Sequence, residues 1–144
     1  MNVDNSIIVP KAEQEDDGSR PIHFAAFHEN SQLIDILLNS GADPTLANKK
    51  NLNVLHMAAQ GDRPYSLMVF NKCFESLRLD VNTEDSEGST PLHWACFCNS
   101  HKIINFLIAL GANVNARDVN DQTPLHIALK KFNWRDTRKS FITI

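Results

Sequence analysis

The stretch Thr90–His101, TPLHWACFCNSH, decides the fold because its first four letters return elsewhere in the chain. The same four residues stand 33 positions later, at Thr123–His126. Looser copies are RPIH at Arg20–His23 and NVLH at Asn53–His56. The four histidines therefore recur at intervals of 33, 37 and 33 residues, a spacing that indicates a repeat protein.

Two further markers keep the same period. GADPTL begins at Gly41, RLDVNT at Arg78 and GANVNA at Gly111. DSEGS at Asp85 and DVNDQ at Asp118 precede the two TPLH copies. Several markers that share one period are a much stronger signal than a single short motif.

The first half of each unit has the pattern of a short helix. Thr90 is a suitable N-cap, and Pro91 suits the first helical position, where no backbone donor is needed. Leu92, Ala95 and Cys96 then form one apolar stripe at helical spacing.

The second half of each unit has the pattern of another helix, followed by a connector rich in turn residues. Asn99 tolerates the left-handed conformation that ends helices. In the third unit the apolar residues of the second helix precede a glycine, and they are Ile103, Ile104, Leu107 and Ile108. In the connectors, a positive φ is predicted at Asn51, Gly88 and Asp121.

These units resemble ankyrin repeats, which contain a turn or hairpin, two antiparallel helices and a T-P-L-H-x-A signature. The resemblance implies an all-α solenoid of about four helix-turn-helix units, the last incomplete, stacked on one continuous core. The predicted organisation is a flexible acidic tail at 1–18 and a repeat domain at 19–144, with repeats at about 19–47, 48–84, 85–117 and 118–144.

Repeats 2 and 4 depart from this pattern. Repeat 2 has Val54 in place of the proline, lacks Gly-Ala before Asp80, and is four residues longer (37 against 33). Asp62 is predicted as the cap of a shifted or extended second helix, with Pro64 in its first turn. The last repeat ends in a weakly apolar segment without a closing glycine.

The composition favours a soluble protein of the cytoplasm or nucleus. Hydrophobic content of 42% and charged content of 22% are ordinary for a globular domain. The net charge of -3 gives no reason to expect nucleic acid, and no apolar run approaches the ~20 residues of a membrane span. The start of the chain lacks the basic region of a secretory signal, and three cysteines fit reduced thiols.

The quoted stretch also contains His93, Cys96, Cys98 and His101, which are candidate metal ligands or catalytic groups. On a helix, however, Cys96 and Cys98 point about 200° apart, and His101 follows the break. In ankyrin repeats the TPLH histidine bonds within its turn and to the adjacent repeat, so the resemblance implies a scaffold role for His93 and its three counterparts. We therefore expect no metal, no cofactor and no enzyme activity.

The resemblance implies that the concave face, made by the connector tips and the first helices, binds another protein or a peptide. We expect no nucleic acid partner, no direct insertion into a membrane and no small-molecule substrate. The predicted contact residues are Phe27, Lys49, Lys50, Tyr65, Glu87, Trp94, Phe97 and Gln122. Phe97 is the strongest candidate, whereas Phe24 and Trp94 can equally pack against neighbouring helices.

A second resemblance gives an alternative function. VLHMAAQGDRPYSLMVF and GSTPLHWAC are similar to the ankyrin region of ankyrin-containing DHHC palmitoyltransferases. This resemblance implies a substrate-recruiting fragment, or a truncated relative, of an enzyme that transfers palmitate to cysteines. The chain itself contains no D-H-H-C sequence.

Overall fold

Helices are the only regular secondary structure in residues 16–131, the part of the chain that the computed structural model describes. In chain order they are α1 (Pro21–Phe27), α2 (Ser31–Asn39), α3 (Val54–Gln60), α4 (Pro64–Asn71), α5 (Cys73–Ser76), α6 (Pro91–Phe97), α7 (His101–Ala109) and α8 (Pro124–Lys131). The all-α prediction is confirmed.

The helices stack in two layers. In each of the first three repeats, the first helix packs against the second, as α1 with α2, α3 with α4 and α6 with α7. The first helices α1, α3, α6 and α8 contact one another in series, and so do α2, α4 and α7. Because each repeat packs against its neighbours, the predicted solenoid is confirmed.

The TPLH turn forms the start of α6 as predicted. The Thr90 hydroxyl oxygen accepts the backbone N–H of His93 at 3.4 Å, and Pro91 stands in the first turn. The Thr90 N–H in turn donates to His93 Nδ1 at 3.1 Å. Asn99 follows the helix with a φ of 56°, in the left-handed conformation predicted for it.

Of three buried histidines, His56 and His93 bond one repeat to the next, and His23 bonds within repeat 1. Nδ1 of each ring accepts a backbone N–H within its own turn, so Nε2 carries the ring proton and donates outward. The acceptors are the carbonyl oxygens of Leu46 for His23 (3.0 Å), Ser89 for His56 (3.0 Å) and Gln122 for His93 (2.8 Å). These rings therefore have the scaffold role that the resemblance implied.

The connector tips are joined by backbone hydrogen bonds. Their donors and acceptors are Lys49 N to Asp17 O (2.7 Å), Ser86 N to Lys50 O (2.9 Å) and Val119 N to Glu87 O (3.0 Å). The positive φ predicted at Asn51, Gly88 and Asp121 is found at all three residues. The tips consequently form an ordered row beside the first helices.

One apolar core runs through the stack. It contains Ile34, Leu55, Phe70 and Leu107, none of which has accessible surface. Cys96, which the sequence places on the apolar stripe of the helix, is half-buried and packs against this core.

The four extra residues of repeat 2 add a helical turn, α5, after α4. Pro64 begins α4, so the extended second helix is confirmed, but the predicted cap was wrong. Asp62 is in the left-handed conformation (φ 54°), and Arg63 occupies the N-cap position. Arg78 follows α5 with a φ of 54°, at the position that a glycine fills in repeats 1 and 3.

Parts of the two terminal predictions lie outside the described residues. They are the flexible tail over 1–15 and the end of repeat 4 over 132–144. Within the described range, the Asp17 carbonyl bonds to Lys49 and the Asp16 carboxylate lies 3.4 Å from the Lys49 ammonium. Contacts of the first tip thus include two residues from the segment predicted as tail.

Candidate partner-binding face

A groove of about 550 Å³ opens between the tips and the first helices of repeats 2 and 3. Its apolar lining comes from Leu52, Met57 and Trp94. Polar groups at its edges include Lys50 and Glu87 of two successive tips. The groove is thus an open apolar recess with charges of both signs at its rim.

Trp94 is held in one orientation at the wall of this groove. Its indole N–H donates to Asp85 Oδ2 at 2.8 Å. The other oxygen of that carboxylate accepts the backbone N–H groups of Glu87 (2.9 Å) and Ser89 (2.8 Å). Phe97 packs edge-on against Trp94, with ring centroids 5.7 Å apart and planes at 76°. The aromatic pair is therefore fixed before any partner arrives.

A smaller pocket of about 100 Å³ lies on the repeat 4 side of the same pair. It is lined by Ser89, His93, Trp94, Phe97 and Ile127. Phe97 is 44% exposed, and the Lys131 ammonium lies over its ring, 4.1 Å from the centroid. One wall of this pocket, the Phe97 ring, therefore has a cation over its face.

Two family profiles match this chain, and their ranges include most of the residues that line the two recesses. A profile described as "Ankyrin repeats (3 copies)" matches residues 65–139, which is more than half of the 144 residues. A single "Ankyrin repeat" profile matches residues 17–49. The chain belongs to the ankyrin-repeat family. Ankyrin repeats are generally protein-interaction modules, so the family supports a binding role without naming a partner.

Ankyrin-repeat relatives of this chain have unrelated activities. Palmitoyltransferase AKR1 of Lachancea kluyveri is 31% identical over 108 residues, which are 74% of this chain and 14% of the relative. The nuclear factor NF-kappa-B p105 subunit of Gallus gallus is 29% identical over 116 residues (78% and 12%). The transient receptor potential cation channel subfamily A member 1 of Homo sapiens is 27% identical over 115 residues (78% and 10%). The chain thus spans about a seventh or less of each relative.

The ankyrin stack brings four of the eight predicted contact residues together. Lys50, Glu87 and Trp94 line the groove, and Phe97 lines the smaller pocket with Trp94. The side chain of Gln122 is half-buried, and its carbonyl accepts the bond from His93.

The other three predicted residues lie away from these two recesses. Phe27 is half-buried and packs edge-on against His28, with ring centroids 5.0 Å apart. Lys49 is paired with Asp16, and Tyr65 is exposed at the start of α4, in the layer of second helices. Neither recess is lined by any of the three.

Two acidic groups at the groove were missing from the predicted set. Asp17, in the segment predicted as tail, lines the groove, and its carbonyl oxygen accepts the Lys49 N–H. Asp85 was known only as part of a turn marker, and no periodic pattern indicates its bond to Trp94, nine residues further on. The matching position in the preceding tip is Asn48, whose side-chain oxygen also accepts two backbone N–H groups of its own turn.

The groove also contains an exposed thiol, Cys98. Its Sγ donates to the Gln60 carbonyl over 3.7 Å. Partial burial raises the pKa of this thiol, and the nearby Lys131 only partly opposes that rise. The neutral thiol is therefore favoured, which is unlike the setting of a catalytic cysteine. Residues 16–131 also hold no cluster of three His, Cys, Asp or Glu side chains suited to a metal ion.

The described helices are short. None of them combines the length and the apolar character that crossing a membrane would require.

Proposed function

We propose that this ankyrin array is a non-catalytic interaction module that binds a partner protein or peptide on its concave face. The observation that supports this most is the fixed Trp94–Phe97 pair between two open recesses. Aromatic residues near the centre of a surface are frequent hot spots, and a rigid wall loses little entropy when a partner binds.

The test is affinity capture with the intact chain, followed by mass spectrometry, and it compares substituted variants with the unsubstituted chain. Phe97→Ala should weaken capture of the specific partners by at least about fivefold, since losing a hot spot costs about 1–2 kcal/mol or more. The charge reversal Lys49→Glu/Lys50→Glu should also weaken it, through Lys50 at the groove rim.

Ile108→Ala is the matched control, because Ile108 is 46% exposed, like Phe97, but lies on the second helix α7. Circular dichroism should show the same helix content in all variants. If Phe97→Ala captures the same partners as strongly as Ile108→Ala does, the proposed face is wrong.

The compartment that we propose for this module is the cytoplasm or the nucleus. Cys73, Cys96 and Cys98 are all free thiols in the structure, which fits a reducing environment. Fluorescence microscopy of the tagged chain in its source cells is the direct check. Fluorescence confined to the secretory pathway would contradict this proposal.

A second candidate function is substrate recruitment for a DHHC-type protein S-palmitoyltransferase. The 31% identity to Palmitoyltransferase AKR1 supports it, although the match spans only 14% of that enzyme. Sequencing the transcript on both sides of the present coding sequence would distinguish the two candidate functions. A continuous frame that encodes a DHHC motif and membrane helices would favour recruitment, and its absence would favour a free-standing adaptor.

A further inference from the structure

The Trp94 side chain lies between two recesses of different size and lines both of them. The groove of about 550 Å³ lies on its repeat 2 side, and the pocket of about 100 Å³ lies on its repeat 4 side. Its indole N–H is already bonded to Asp85, so the ring offers a partner only apolar surface. A ligand crossing the face must therefore place side chains beside this ring.

The smaller pocket selects for an aliphatic side chain. Trp94, Phe97 and Ile127 give it three apolar walls, and the His93 ring behind them donates its Nε2 proton to Gln122. Ser89 also lines the pocket, so a polar group entering it would lose its water and find few partners there. A volume of about 100 Å³ equals that of about three water molecules at ~30 Å³ each, which suits a branched aliphatic chain better than an indole.

Helix α8 places positive charge over Phe97, one of the walls of this pocket. Lys131 lies over the Phe97 ring, and Lys130 is its exposed neighbour. Within the described range, no carboxylate approaches either ammonium group to 4 Å.

The carboxylates of the repeat 4 tip have other partners. Asp121 pairs with Arg117 at 2.9 Å. Asp118 accepts the backbone N–H groups of Asn120 and Gln122, both at 2.9 Å. The lining of the groove, by contrast, contains three carboxylates, those of Asp17, Asp85 and Glu87, against the single ammonium of Lys50. A ligand carboxylate is therefore attracted to the α8 side of Trp94 and repelled from the groove side.

We propose that the partner presents an acidic segment with one aliphatic anchor: the anchor enters the pocket beside Phe97, and adjacent Asp or Glu residues face Lys130 and Lys131. This inference rests on the proposed function, because it names the chemistry of the ligand for the same face. The lysines also make binding selective, because a basic segment would be repelled by their like charge.

The experiment is selection of a displayed library of random linear peptides on the intact chain. The expected result is enrichment of peptides with Leu, Ile or Val next to Asp or Glu. Binding of the best peptide, made synthetically, should weaken about tenfold with Phe97→Ala. The double variant Lys130→Glu/Lys131→Glu should weaken it by about as much and should enrich basic peptides in a repeated selection. Binding should also weaken as salt is raised.

Lys102→Glu is the matched control, because Lys102 is exposed on α7, a helix of the other layer, and lines neither recess. Selection of basic or aromatic peptides that still depend on Phe97 would overturn the inference and leave the proposed function standing. Absence of any Phe97-dependent peptide would count against both.

Two other ligands of this face can be recognised by further measurements: the binding of a peptide of residues 4–17, and the self-association of the chain. If the only peptide that binds has the sequence of residues 4–17, the ligand is the chain's own acidic segment and not a partner. If the chain self-associates and Phe97→Ala abolishes that association, the ligand is a second copy. Either result would overturn the inference of an acidic partner.

Discussion

At the scale of single residues, the backbone adopts a left-handed conformation after each second helix, and not every residue type suits that conformation. Glycine occupies this conformation after the second helices of repeats 1 and 3, at Gly41 and Gly111. Repeat 2 has Arg78 there instead, with a φ of 54°. An L-residue other than glycine or asparagine is strained in this conformation by about 1–2 kcal/mol. Arg78 is therefore a local weakness of the array.

We expect Arg78→Gly to stabilise the protein. The removed strain exceeds the extra backbone entropy that glycine loses on folding, so the free energy of unfolding should rise by about 0.5–1 kcal/mol. Denaturation in urea measures this as a higher midpoint at unchanged slope. Asn51→Gly is the control, since asparagine tolerates its φ of 56° and should change stability less. An unchanged or lower midpoint for Arg78→Gly would show that this position stores no strain.

At the scale of elements, repeats 1 and 2 pack together where the C-terminal end of α1 lies close to the C-terminal end of α3. The Phe27 carbonyl, at the end of α1, accepts the Arg63 side chain (Nε to O, 3.0 Å). The hydroxyl of the buried Ser66 donates to the Ala26 carbonyl at 2.9 Å. A Cβ atom built on Gly61 would collide with the Phe27 carbonyl oxygen. Glycine at this position therefore lets the two repeats pack together.

Gly61→Ala should destabilise this junction. The added methyl group forces the Phe27 carbonyl away, and overpacking of this kind costs about 1–3 kcal/mol. Thermal denaturation followed by circular dichroism should show a lower midpoint. Cys98→Ala changes the corresponding helix end of repeat 3 and should have little effect. Equal midpoints for Gly61→Ala and the unsubstituted chain would mean that the repeats adjust at no cost.

Periodic features could be predicted from sequence, and features that appear once could not. The cap at Thr90, the left-handed Asn99 and the histidine joints all follow from a motif that recurs. The close approach at Gly61 and the Asp85–Trp94 bond join residues that no repeat pattern relates. The prediction for the cap of α4 was wrong for a different reason. Asp62 is a good capping residue by type, but it matches Asn99 in the repeat pattern and has the same left-handed conformation after a first helix.

At the scale of the whole molecule, stability depends on histidines that are buried in the neutral form. Burial lowers the pKa of His23 and of His56 below the ordinary 6.5, although a backbone carbonyl partner of each ring partly opposes the shift. Above pH 6.5 both rings are neutral in the folded and the unfolded chain. Below it, the unfolded chain binds protons that the folded chain does not, so stability is lost as the pH falls.

We expect the free energy of unfolding to decrease between pH 7.5 and 5.5, by at most about 1.4 kcal/mol per pH unit for each histidine. Urea denaturation across this range measures the slope. His56→Asn should reduce the slope, because it removes one of the two buried rings. Titration of the ring protons by NMR gives an independent check that does not require the variant to fold. Ordinary pKa values for both buried rings would contradict this explanation.

The joints between repeats also determine how the array responds to force. The bonds that His56 and His93 donate, and the bonds between tips, connect only adjacent units of the stack. Tension applied along the stack therefore passes through the junctions in series, and each junction carries the whole of it. The array should lengthen in steps, one junction at a time, starting at the weakest. Under tension the array would therefore extend in discrete steps, each corresponding to the opening of one junction between repeats.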